Sequence, residues 1–211
     1  MRNHVRAAAM LTILCGTPCG ASEAPAADQK ERAMVTNGMD EARFWALIEQ
    51  FGRPDREARL AALRAALADL EPDDIQRFQA QFDRQMWRSY RWDLWGAAFV
   101  AMGGASDDGF EYFRAWLIAQ GRDAFERVLG SPDSLADIAP NDADAMEFEH
   151  ILYVAPEIWS EKTGKSPAEM IRFDPGSEVQ SGPQGTPFRE DDALLARQYP
   201  HLWRRFTSAG M

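Results

Sequence analysis

Three carboxylates follow a Gly-Gly turn at residues 103–104, at a spacing that could form a cation-binding site. Asp107, Asp108 and Glu111 fall within one helical turn, and side chains three or four residues apart share a helix face. Such a cluster would suit a hard cation such as Mg2+ or Ca2+. Acidic residues also complement the positive end of a helix dipole, and the spacing of a calcium-binding loop is absent. We therefore expect these residues at a helix N-terminus, with a cationic ligand as the alternative.

Other motifs that resemble catalytic or metal sites are incomplete. Glu147 and His150 have the i, i+3 spacing of bundle di-iron sites, but the sequence contains no second such pair. A Gly-Lys-Ser at residues 164–166 lacks the first glycine of a phosphate-binding loop, because Trp159 stands there. From Met39 onward there is no cysteine and no Gly-x-Ser-x-Gly nucleophile elbow. We predict no catalytic residue, no metal and no cofactor, and we favour a protein that is not an enzyme.

The aromatic residues of segment 90–121 are the strongest remaining signal. Most should lie in the core, because burying one large apolar side chain stabilises a fold by about 1.5–3 kcal/mol. A pair of helices has only two inner faces, so some rings should be half exposed, where Trp, Tyr and Arg act as interface anchors. Arginines here could stack on rings or pair with neighbouring carboxylates. The predicted binding residues are Trp92, Asp93, Trp95, Asp107, Asp108, Glu111, Tyr112 and Arg114.

The chain is acidic, with a formal net charge of -10 over 211 residues. Residues 131–178 contain eleven acidic and three basic side chains, a local net charge of -8. Such a surface repels phosphate backbones, so we predict no nucleic-acid binding. It would attract a basic protein partner through long-range steering. The alternative is that the charge only maintains solubility.

The elements that position these residues are expected to be helices. Apolar residues recur at three- and four-residue intervals, and capping residues, prolines or glycines bound each stretch. No stretch alternates with a period of two for long enough to predict a sheet. The expected helices of the first half of the chain are 40–51, 55–70, 72–86, 94–102, 106–121 and 125–129.

The second half of the chain is more irregular. A loop should lead through Pro140 into a helix that starts near Asn141 or Asp142, which Pro156 kinks or divides and Gly164 ends. Residues 174–187 are rich in Gly, Pro and Ser and predict an irregular loop, and the tail should pack back as one or two short helices. The sequence therefore predicts an all-α protein. We expect a single domain over 39–211 with about seven to nine helices around an aromatic αα-hairpin.

Residues 1–38 form a signal-like or disordered N-terminal extension. A basic start, a short apolar run and small residues near Ala21 are typical of a secretory signal, and the run is too short to span a bilayer. The alternative is a translation start downstream, at Met34 or Met39. We expect a cytoplasmic protein if translation starts near Met39, and an exported protein if the extension acts as a signal.

Four stretches carry a family resemblance: MDEARFWALI, segment 90–121, ILYVAPEIW and YPHLWRRF. Through them the chain resembles the bacterial domain-of-unknown-function family 4240, found largely in actinobacteria and other soil bacteria, over about residues 39–206. Members commonly begin at the methionine equivalent to Met39, which favours the downstream start. The resemblance implies no activity, catalytic residue or cofactor.

The sequence supports two hypotheses about function and leaves the oligomeric state open. The first is a non-enzymatic interaction or regulatory domain, for example an immunity-like protein that covers a basic bacterial enzyme with its acidic surface. The alternative is a small-molecule-binding protein or enzyme with a carboxylate-lined pocket near the 103–111 turn. In that case Asp107, Asp108, Glu111 and His150 should converge on one cavity.

Overall fold

The computed structural model of the protein describes residues 39–50, 55–176 and 182–207. Within these ranges the chain is helical and forms no β-strand, which confirms the prediction of an all-α protein. The α-helices are α1 (Glu41–Gln50), α2 (Arg56–Ala68), α3 (Pro72–Arg88), α4 (Trp92–Met102), α5 (Asp107–Ala119), α6 (Arg122–Gly130), α7 (Ile151–Thr163), α8 (Asp192–Gln198) and α9 (Pro200–Phe206). Short 3-10 helices cover Pro132–Asp137, Asp144–Met146 and Pro167–Glu169. The predicted extension 1–38 lies outside the described residues.

Capping residues set several of these helix ends. The Asp55 side chain accepts hydrogen bonds from the backbone N–H groups of Glu57 and Ala58 and so starts α2. Ser106 accepts from the N–H of Gly109 and starts α5. Gly103 ends α4 with a φ of 71°, a left-handed conformation that costs glycine nothing and other residues about 1–2 kcal/mol.

The hairpin of α4 and α5 lies at the centre of the fold. Both helices are buried over most of their length, and α5 also packs against α1, α3 and α6. α3 packs on α7, which in turn contacts α2, while α9 folds back onto α4. The carboxy-terminal tail therefore covers the hairpin from one side, as the apolar pattern of the tail predicted.

A ladder of stacked rings runs through the hairpin. Trp95 stacks on Phe110 with a centroid separation of 4.8 Å and an interplanar angle of 11°. Phe110 stacks in turn on Phe113 at 6.1 Å, and Phe113 contacts Trp116 at 5.7 Å. At the other end Trp92 lies parallel to Trp95 at 5.1 Å. The predicted aromatic interior is present. Of the ladder only Trp92 is half-buried, and outside the ladder Phe99 and Tyr112 of the hairpin are half-buried as well.

One prediction for the second half of the chain is wrong. The helix expected from Asn141 or Asp142 begins only at Ile151, because the N–H of Phe148 donates to the carbonyl of Tyr112 at 3.1 Å and draws the backbone towards α5. Of the two effects predicted for Pro156, division of the helix does not occur, because α7 runs from Ile151 to Thr163, and a kink stays a prediction. Pro156 is buried, and we infer that packing of α7 against α2 and α3 offsets the lost backbone hydrogen bond.

The loop predicted through Pro140 is also more ordered than expected, since residues 132–137 form a 3-10 helix. Its Asp133 side chain accepts hydrogen bonds from the backbone N–H groups of His201 and Leu202 at 3.0 Å each. Those N–H groups belong to the first turn of α9, where the helix has no internal acceptors for them. The 3-10 helix and the tail thus stabilise each other.

Of the predicted irregular loop, residues 174–176 and 182–187 contain no helix, and the residues between them are not described.

Candidate functional site

The first turns of α5 and the segment leading into α7 form one acidic surface. The Phe148 to Tyr112 backbone hydrogen bond joins the two segments, and a Cβ atom built on Gly109 would lie 3.4 Å from Glu147 Oε1. On the α7 side the Tyr153 hydroxyl donates to Glu149 Oε1 at 3.3 Å. We call this surface the acidic face. It consists of Asp107, Asp108, Glu111, Tyr112, Glu147, Glu149 and Tyr153.

The carboxylates of the acidic face have no ionic partner in the described ranges. None of the five lies within 4.0 Å of a basic side chain there. Some acidic residues elsewhere are paired: Asp83 binds Arg172 at 2.6 Å and Glu126 binds Arg88 at 2.7 Å. A cationic partner would therefore not have to break an ion pair of the described residues in order to reach these carboxylates.

The two tyrosines of the acidic face respond to this charge. Partial desolvation, and then the negative charges of Glu149 and its neighbours, raise the pKa values of Tyr112 and Tyr153 above their ordinary range. Asp108 and Glu111 act on both phenols. Charges from α5 (Asp108 and Glu111) and from the segment before α7 (Glu149) therefore act on the same two rings.

We expect Glu149→Gln to lower the pKa of Tyr153. The substitution removes the negative charge that opposes phenolate formation, while the amide oxygen can still accept a hydrogen bond from the Tyr153 hydroxyl. The pKa can be followed through the tyrosine Cζ chemical shift in an NMR titration. Glu190→Gln, at an exposed site outside the acidic face, is the matched control and should leave the Tyr153 pKa unchanged. An equal shift in both variants would show that Glu149 and Tyr153 are not neighbours.

The structure divides the eight predicted binding residues into two groups. Asp107, Asp108, Glu111 and Tyr112 come together on the acidic face, with the three carboxylates exposed. The other four lie in or beside the hairpin core. Trp95 is buried, and its indole N–H donates to the carbonyl of Ala105 at 3.0 Å. Trp92 and Asp93, at the start of α4, are half-buried, and Asp93 binds Arg91 with 2.9 Å between Oδ1 and Nε.

Arg114 is buried within the hairpin. Its guanidinium lies 4.6 Å from the centroid of the Tyr90 ring and 5.1 Å from that of Phe110, and Nη1 donates to the carbonyl of Met86 at 2.8 Å. Burial lowers its pKa to about 10, while nearby Glu111 acts in the opposite direction. Ring faces and a carbonyl oxygen thus hold this cation, so the prediction that an arginine of this segment stacks on rings is confirmed for Arg114.

Reasoning from the sequence missed three members of the acidic face: Glu147, Glu149 and Tyr153. The excess of acidic residues over 131–178 was a correct signal for where the charge lies. It could not show that this segment meets α5, because the meeting depends on one long-range backbone hydrogen bond at Phe148.

Two cavities are lined by residues other than the seven of the acidic face. One, of about 390 Å³, is lined by residues including Arg56, Arg59 and Trp116. The other, of about 420 Å³, includes Trp87 and the Arg88–Glu126 ion pair. Asp107, Asp108 and Glu111 line neither of them, so the carboxylate-lined pocket of the alternative hypothesis stays a prediction.

In the ranges that the structure describes, no group of three or more His, Cys, Asp or Glu side chains could hold a metal ion. Over the same ranges, no helix has both the length and the apolar character needed to cross a membrane.

Residues 39–161 match the model of a protein family described as a protein of unknown function, DUF4240. The chain belongs to the DUF4240 family. The matched part of this DUF4240 protein contains α1 to α6, most of α7 and all of the acidic face. The resemblance seen in the sequence extends further, to Phe206. No curated protein and no solved structure matches the chain.

Proposed function

We propose that this DUF4240 protein is a non-enzymatic interaction or regulatory domain that binds a basic protein partner through the acidic face. The observation that carries the proposal is the convergence of five carboxylates, without ionic partners in the described ranges, around two accessible tyrosines. An immunity-like protein that covers a basic bacterial enzyme is one concrete form of this function.

The chemistry of the acidic face suits arginine and lysine side chains. Carboxylates can accept the two parallel N–H groups of an arginine, which makes a strong and geometrically specific contact. Tyr153 is 47% exposed and offers a ring face on which a guanidinium can stack. Tyrosine is also among the residues that most often dominate binding energy at protein interfaces.

The scaffold beneath the acidic face supports rigid presentation of these groups. α5 is anchored by the ring ladder, and Phe148, between Glu147 and Glu149, is only 2% exposed. A surface that is already ordered loses little conformational entropy when a partner binds. The net charge of -10 adds long-range attraction, so association should be fast at low salt and slower at high salt.

The proposal predicts that neutralising the acidic face weakens binding to a basic peptide. In the triple variant Asp108→Asn, Glu111→Gln, Glu149→Gln, we expect the Kd for an arginine-rich peptide probe to rise about tenfold or more. That change corresponds to about 1.4 kcal/mol, well within the range of charge-assisted contacts. Isothermal titration calorimetry at low and moderate salt measures it.

The matched control is a second triple variant that changes the net charge equally at exposed sites elsewhere. Those sites are Asp73, Asp137 and Glu190, which are exposed and are not part of the acidic face. If long-range charge alone attracts the peptide, both triple variants should weaken binding to the same extent, and the proposal fails. A much larger loss in the acidic-face variant supports it.

A further inference from the structure

Exposed apolar side chains collect along one side of α3. Trp87, near the end of this helix, is 37% exposed, and Ile171 is 71% exposed. The backbone N–H of Ile171 donates to the Gln76 side chain of α3 at 3.1 Å. The ring of Phe173 contacts that of Trp87, with 6.0 Å between the centroids. We call this surface the α3 strip, and it consists of Arg84, Trp87, Ile171, Arg172 and Phe173.

Polar contacts fix the segment that carries Ile171 and Phe173 to α3. Arg172 donates to the two carboxylate oxygens of Asp83 at 2.6 Å each. The backbone N–H of Phe173 donates to the same carboxylate at 3.4 Å. The α3 strip is therefore ordered before any partner binds, and an ordered surface loses less conformational entropy on association than a flexible one.

The ion pair within the α3 strip presents its cation to solvent. The Arg172 side chain is 51% exposed, whereas the Asp83 side chain is only 14% exposed. Arg172 uses Nε and Nη2 for Asp83, so the N–H groups of Nη1 can still donate to a further acceptor. Asp174, the next carboxylate along the chain, is exposed and accepts a hydrogen bond from the N–H of Gly176 at 2.8 Å.

Arg84 adds a second exposed cation to the α3 strip. Within the described ranges no carboxylate lies within 4.0 Å of it. Its guanidinium lies 5.3 Å from the centroid of the Phe173 ring, so a cation–π contact keeps it beside the apolar side chains. Trp87 follows three residues later in α3, and the two side chains therefore share a helix face.

We propose that the α3 strip binds an acidic, amphipathic segment of a partner protein. Apolar side chains of that segment pack on Ile171 and on the exposed part of Trp87, and its carboxylates pair with Arg84 and with the outward side of Arg172. Charge complementarity selects this occupant, because a basic segment would meet two exposed like charges. Tryptophan and arginine are also enriched among the residues that dominate binding energy. The α3 strip shares no residue with the acidic face, so this inference does not depend on the function proposed above.

The probe is a synthetic peptide of about 15 residues with leucine at helical spacing and glutamate at the other positions. NMR titration of the full chain, followed at the indole N–H of Trp87, gives its Kd. We expect saturable binding that Ile171→Asp and Arg84→Glu each weaken about tenfold or more, because one removes apolar contact and the other reverses a cation. The same peptide with glutamine in place of glutamate should bind at least about tenfold more weakly.

Leu194→Asp and Arg197→Glu are the matched controls, since they make the same charge changes at exposed sites of α8 outside the α3 strip. They should leave the Kd unchanged within about twofold, because exposed charges far from a site are screened. All four substitutions are at exposed positions, and thermal denaturation checks that each variant is folded. Equal weakening by the strip and control variants, equal affinity for the glutamine peptide, or no saturable binding of the acidic peptide would each overturn the proposal.

Discussion

Replacing Phe110 by alanine is expected to lower the free energy of unfolding by about 4 kcal/mol, within the range of about 3–5 kcal/mol found for buried phenylalanines. Phe110 is fully buried and lies at the middle of the ring ladder, between Trp95 and Phe113. Its removal leaves a cavity and also exposes one face of the buried Arg114 guanidinium, 5.1 Å from its ring centroid. Urea denaturation followed by tryptophan fluorescence measures the loss.

A domain of this size has a total stability of only about 5–15 kcal/mol, so Phe110→Ala leaves it close to unfolding. Phe110→Leu provides a milder variant and should cost roughly half as much, because most of the volume is retained. Phe206→Ala is the matched control, since Phe206 is half-buried at the end of α9 and outside the ladder. A loss at Phe206 as large as that at Phe110 would contradict the central role of the ladder.

Gly96→Ala is expected to destabilise the protein by about 2 kcal/mol, although alanine is the better helix former by about 1 kcal/mol. Gly96 lies inside α4, where the tail packs closely against it. A Cβ atom at this position would lie 2.5 Å from the Tyr199 hydroxyl and 3.1 Å from Phe188 Cγ. Tyr199 cannot easily retreat, because it is buried and its hydroxyl donates to the carbonyl of Asp93 at 2.7 Å. Overpacking of this kind costs about 1–3 kcal/mol or more.

Gly130→Ala is the control for the intrinsic effect of adding a methyl group. Gly130 ends α6, and no atom of the described residues lies within 4 Å of a Cβ built there, so this variant should be neutral or slightly more stable. Combining Gly96→Ala with Tyr199→Phe removes the atom in closest contact. The double variant should therefore be more stable than the sum of the two single effects predicts. Strict additivity would show that the tail does not pack on Gly96 through Tyr199.

The helices were predictable because their signals are local. Ser106 and Asp55 cap α5 and α2, and Gly103 and Gly164 end α4 and α7, all within a few residues of the position they control. The ring ladder was also foreseeable in outline, since its members recur at helical spacing. Local signals of this kind depend on side chains that act on their own backbone, and they need no knowledge of the tertiary fold.

The start of α7 and the composition of the acidic face were not predictable in the same way. Both depend on the backbone hydrogen bond from Phe148 to Tyr112, a contact between residues far apart in sequence. The arginine-lined cavity was missed for a similar reason. Arg56 and Arg59 flank the apolar stripe of α2, where charged residues usually face solvent, and only contacts with residues distant in sequence place them beside the carbonyls of Asp144 and Ala119.

A chemical-shift map of the protein titrated with the arginine-rich peptide tests most directly whether the acidic face is the binding surface. Backbone amide resonances report the position of the peptide without any substitution. We expect the largest changes in the first turns of α5 and in residues 147–153, and we expect them to saturate together with changes at the Tyr112 and Tyr153 side chains. Changes spread evenly over all exposed carboxylates, or centred away from the acidic face, would contradict it.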